Sequence, residues 1–141
     1  MLRLEPNFAS SWGSRGSVWN AKGEYDKAMA DYNQALQLDP KCANAHDGLA
    51  WLRATCIDDR YRDGKQAVEF ATKARELRNW KSWGSLAALA AAHAELGNFT
   101  EAVKWQQRAH ELAPPKQKEK MASRLDLYKS GKPYRYEPKK D

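Results

Sequence analysis

Residues 12–40 read WGSRGSVWNAKGEYDKAMADYNQALQLDP, and this stretch decides the fold because its landmarks return further along the chain. Gly23, Tyr25, Ala28, Ala35, Leu38 and Pro40 match Gly97, Phe99, Ala102, Ala109, Leu112 and Pro114 at an offset of 74 residues. An offset of 35 relates Ala67-Val68, Ala74 and Glu76-Leu77 to Ala102-Val103, Ala109 and Glu111-Leu112, and an offset of 34 relates Pro6 to Pro40. One unit is therefore written about three times. Arrays of this kind present extended surfaces, which argues for binding before it argues for catalysis.

The physics of the unit follows from its residue types. Each copy predicts two antiparallel helices. Gly16, Ala28, Ala90 and Ala102 fall where paired helices approach closely, since a larger side chain would push the axes beyond about 8–10 Å. Trp12, Trp19, Tyr25 and Tyr32 are spaced to fill the space beside them. Gly23 and Gly97 mark turns that need a left-handed backbone, and Pro40 and Pro114 close the second helices. Helices are predicted over residues 8–21, 24–38, 43–56, 65–78, 83–96 and 99–112. Asp63 and Gln66 have the spacing of a capping box at the start of the fourth.

The pattern Trp12-x2-Arg15-Gly16-x2-Trp19, Ala28-x3-Tyr32, Pro40 resembles the tetratricopeptide repeat, with Arg15 standing where the family prefers Leu. The third copy carries Leu86, Leu89, Ala90, Phe99, Ala102, Ala109 and Pro114 at the matching places, with His93 and Gln106 where aromatics are usual. The resemblance covers residues 1–114 and implies an all-α, right-handed solenoid of about three helix-turn-helix units. The units run 8–42, 43–82 and 83–114, preceded by residues 1–7 as the end of a truncated repeat, where Leu2, Leu4 and Pro6 match Leu36, Leu38 and Pro40. The middle unit has five extra residues within 55–64; it and the closing Leu125–Arg135 stretch resemble bacterial, planctomycete-type arrays. Residues 115–130 read as a capping helix with Met121, Leu125 and Tyr128 on one face, and 131–141 as a basic, extended or mobile tail.

In this family the first helices line the concave face. Carried over, that face offers Ser10, Gly13, Ser14, Ser17 and Asn20, then Asn44, Asp47, Gly48, Trp51 and Thr55, then Gly84, Ala87, Ala88, Ala91 and Glu95. The expected function is a scaffold for a peptide or partner helix, with Ser17, Asn20, Asn44, Asp47, Trp51 and Glu95 as candidate contacts. Trp51 reads either as an anchor or as packing against the inserted loop. The groove lacks the cations that would clamp a carboxylate, and Asp47 has the wrong sign, so acidic C-terminal peptides are not expected ligands.

The 141 residues carry a net charge of +6, of which residues 116–141 hold +5, with nine Lys+Arg against four Asp+Glu. This basic segment, with Tyr134 and Tyr136, supports an alternative in which it grips nucleic acid or an acidic partner, though the solvated-surface reading of such a run is the commoner one. No catalytic, metal or cofactor site is expected. His46, His93 and His110 lie on different helices, and Asp58, Asp59 and Asp63 read as a loop paired locally with Arg60 and Arg62. Cys42 and Cys56 sit at the two ends of one helix, roughly 20 Å apart and too far for a disulfide. No apolar run approaches the roughly 18 residues of a membrane span, and no secretory signal is visible, so the chain is read as cytoplasmic. The opening helix would leave a face uncovered, to be met by preceding repeats or by a second copy.

Overall fold

The computed structural model describes residues 8–79 and 82–138. The expected repeat end at residues 1–7 lies outside them. Seven helices run in chain order, α1 (Ala9–Ala21), α2 (Tyr25–Leu38), α3 (Ala43–Thr55), α4 (Gly64–Leu77), α5 (Trp83–Glu95), α6 (Phe99–Leu112) and α7 (Pro115–Lys129). Three-residue connections join α1 to α2 and α5 to α6, which leaves each pair antiparallel. Gly23 and Gly97 turn these corners at φ +80° and +81°, a conformation costly for residues with a Cβ. The connection from α3 to α4 spans residues 56–63, five more than its counterparts. None of the helices among the described residues is long and apolar enough to cross a membrane.

The helices stack in two layers. α1 packs on α3 and α3 on α5, so the first helices form one continuous sheet of helices, while α2, α4 and α6 each pack on their own partner behind it. Small residues set the spacing. Tyr32 is buried between α1 and α3, and a Cβ added at Gly16 would lie 2.8 Å from its ring. α5 is buried nearly all round, through Leu86, Leu89 and a series of alanines, because it contacts α3, α4 and α6 together.

Departures from the repeat pattern are compensated. Arg15 forms a two-pronged ion pair with the buried Asp31, Nε to Oδ2 at 2.7 Å and Nη2 to Oδ1 at 2.9 Å. Gln106 is fully buried, and its Nε2 donates to the Met121 carbonyl at 3.0 Å. That bond ties α6 to α7. α7 is started by Pro115 in its first turn, and Lys118 Nζ donates to the His110 carbonyl at 2.7 Å, satisfying an orphan acceptor at the end of α6. Met121 and Tyr128 bury completely beneath α7, while Leu125 stays half-buried.

Candidate peptide-binding groove

α1, α3 and α5 each turn one face toward the same side, that of α1 and α5 mostly of small residues. Between them lies a cavity of about 530 Å³. α1 supplies Gly13, Ser14, Ser17 and Asn20, α3 supplies Asn44, Asp47, Gly48 and Trp51, and α5 supplies Gly84 and Ala88. Spacings of three and four residues put each set on one helical face. Tyr32 reaches the cavity from behind, and its hydroxyl lies 3.0 Å from Ser17 Oγ. Burial pushes the Tyr32 pKa up to about 12, so this phenol stays protonated and keeps its hydrogen.

One end of the groove is polar. Arg78, just past α4, donates from Nε to Asp47 Oδ2 at 2.9 Å and from Nη2 to the Asn44 side-chain oxygen. Ser85 Oγ donates to the same Asp47 oxygen at 2.9 Å, while Asp47 Oδ1 has no hydrogen-bond partner. Burial raises the Asp47 pKa, against the opposing pull of Ser85 and Arg78. Asn44 and Asp47 are thus held in place by Arg78 from the end of their own helix pair, and Asp47 also by Ser85 from the next.

The other end is covered by the chain's own C-terminal segment. After Gly131, at φ +74°, residues 132–138 leave α7 and cross the C-terminal ends of α5, α3 and α1 in turn. Tyr134 and Tyr136 pack on Trp51 at ring-centroid distances of 5.6 and 6.1 Å. Arg124 of α7 stands 4.9 Å over Trp51 and 4.7 Å over Tyr134, a cation–π contact to both rings. Arg135 Nη1 meets Glu95 Oε1 at 2.8 Å, and Arg62 Nε meets Glu95 Oε2 at 3.5 Å. The Tyr136 amide donates to the Thr55 carbonyl at 2.8 Å, and Tyr136 pairs with Cys56 in an isolated parallel bridge. Pro138 lies so near the α1–α2 turn that a Cβ added at Gly23 would be 3.3 Å from it. Thus a basic, extended strap runs over three helix C-termini, where the backbone dipoles favour positive charge.

The tetratricopeptide repeat model of the sequence families matches residues 9–42, and a second model of that same repeat matches residues 84–116. Among solved structures, the chain is similar to the NMR structure of the first TPR domain of the human RPAP3 protein, with TM-score 0.64 and 21% identity over 89% of this chain and 98% of that one. The chain is a tetratricopeptide repeat protein. At that identity the likeness to the solved domain speaks to the fold alone. No curated protein matches the chain.

The two family matches flank the middle repeat, the one with the long α3–α4 connection. Of the residues that the repeat pattern placed on the concave face, Ser17, Asn20, Asn44, Asp47 and Trp51 line one cavity. Glu95 stands apart, beneath the strap and paired with Arg135 and Arg62. Asn20 is buried, so Ser17 is the more open of the two α1 candidates. The packing partners of Trp51 come from the tail rather than from the inserted loop: Tyr134 and Tyr136 lie on it. In that loop Asp58 pairs with Arg60 at 2.6 Å, and Asp63 caps α4 by accepting from the Gln66 amide at 3.1 Å. Arg62 turns away from the aspartates, donating to the Cys56 carbonyl at 2.7 Å. Sequence reasoning missed Arg78, Arg124, Tyr134 and Arg135 as parts of the groove. Arg78 stands one residue past the end of α4 and carries no periodic signal, whereas Tyr134-Arg135-Tyr136 had a visible one, an aromatic pair around a cation.

Proposed function

We propose that this repeat protein is a protein–protein interaction scaffold whose concave groove holds an extended segment of a partner. The observation that carries the reading is the cavity bounded by α1, α3 and α5, small-walled and with a large aromatic, Trp51, at its edge. Glycine and serine walls admit a backbone closely, and an aromatic beside them supplies an anchor. Ser17, Asn20, Asn44 and Asp47 are the polar contacts of this reading, and Glu95 the charged one. Asp47 in the groove and Glu95 beneath the strap disfavour an acidic ligand. Repeat architecture supports binding rather than catalysis, and we read the protein as cytoplasmic, in keeping with two buried free cysteines.

Trp51→Ala tests the reading. Peptides selected from a random library on the intact protein should lose about 1–2 kcal/mol of binding to the variant, measured by titration calorimetry. Equal binding by both proteins would remove the groove from the account. The alternative, a lysine-rich segment gripping nucleic acid, is the weaker, because Tyr134 and Tyr136 are already engaged by Trp51.

A further inference from the structure

We infer that the groove is built for an extended partner segment carrying an aromatic–arginine–aromatic core, and that residues 132–138 of this chain are a resident competitor for it. This deepens the scaffold reading and rests on it. The strap shows what the surface accepts. Its tyrosines alternate around an arginine, as an extended backbone requires if two rings are to meet one tryptophan while the residue between them faces elsewhere. Tyr134 and Tyr136 lie on Trp51, Arg135 reaches Glu95, and the backbone between them pairs with Thr55. These contacts combine three different chemistries: stacking, an ion pair and strand-like backbone pairing.

Charge narrows the partner further. Glu95 Oε1 takes the arginine of the core, at a place where the C-terminal ends of α5, α3 and α1 also favour positive charge, while Arg62 holds the other carboxylate oxygen and Arg124 lies over the Trp51 ring. The strap is tethered, which gives it an effective concentration on the order of millimolar. A free segment that repeats only its contacts therefore loses to it. A winning partner must gain something more, and the structure leaves room for it. The strap follows the rim to Gly23, whereas the cavity of about 530 Å³ beside Tyr136 stays open, walled by Gly13, Gly48 and Gly84. The partner keeps the core and turns a bulky side chain into that space.

The test uses the full-length chain and a fluorescein-labelled synthetic peptide with the sequence of residues 131–138. Tyr134→Ala with Tyr136→Ala releases the strap while leaving Trp51 and Glu95 intact. The released chain should bind the peptide about tenfold or more tightly than the unaltered chain, by fluorescence anisotropy. Adding Glu95→Gln, or replacing both tyrosines of the peptide by alanine, should abolish the gain. Arg135→Ala is the milder second variant, since Tyr134 also packs beside Tyr128. It should strengthen peptide binding several-fold with circular dichroism unchanged. No binding to either folded variant, or equal binding to all chains, overturns the inference. So does a dimer dispersed by the peptide, because the strap's place would then be taken by a second copy. Selected library peptides that depend on Trp51 but lack the aromatic–arginine–aromatic core would sink this inference and leave the scaffold reading standing. A library that yields no ligand sinks both.

Discussion

At Gly48 the absence of a side chain is what lets α3 lie against Tyr32. A Cβ built there would fall on the ring, and Tyr32 has little room to retreat because Gly16 of α1 also lies against it, an added Cβ there coming within 2.8 Å. Gly48→Ala should therefore destabilise the protein by about 1–3 kcal/mol, read from urea unfolding. His93 makes a different prediction. Burial lowers its pKa, Arg75 and Lys104 push in the same direction, and Glu101 opposes them. The unfolded chain thus takes up the proton first as pH falls. Stability is intact above the ordinary imidazole range of about 6.5 and is lost as pH drops through it toward the lowered folded value. His93→Phe restores the aromatic usual at this place in the repeat. It should flatten the fall in melting temperature between about pH 7 and pH 5 relative to the unaltered protein. Arg15 shows why single residues mislead a pattern. A cation in a leucine position looked like a defect, yet the chain supplies the buried Asp31 sixteen residues later to meet it.

At the scale of the element, helices were legible because each carries its own period. All seven begin and end within a residue of the expected bounds, since caps, glycine turns and prolines are local signals. Asp63 is one of these signals, accepting from the Gln66 amide at the start of α4. Asp63→Ala should cost about 0.5–2 kcal/mol and should fray α4 before any other helix, which amide exchange of residues 64–67 would report. Register offered Glu95 as a concave-face residue, but its partners were not foreseeable from register. Arg62 arrives from the long α3–α4 connection and Arg135 from the tail, two segments without periodicity. Tyr134 and Tyr136 illustrate the same gap. An extended segment makes its contacts with three helices that are distant in sequence, so nothing adjacent to it in the chain announces the docking.

On the scale of the whole molecule, an open array couples only neighbours, so each unit's stability is its own plus that of the next interface. Here the strap departs from the last helix and reaches Gly23, beside the first pair. The array is thereby closed on itself. Fraying at one terminus must then be shared by the other, and melting becomes a single event instead of a progression along the chain. Amides in α1 and α7 should exchange with hydrogen–deuterium kinetics that report one common opening free energy. Arg135→Ala combined with Tyr136→Ala should split that value in two and shallow the denaturant slope, the expected behaviour of an array whose ends move independently.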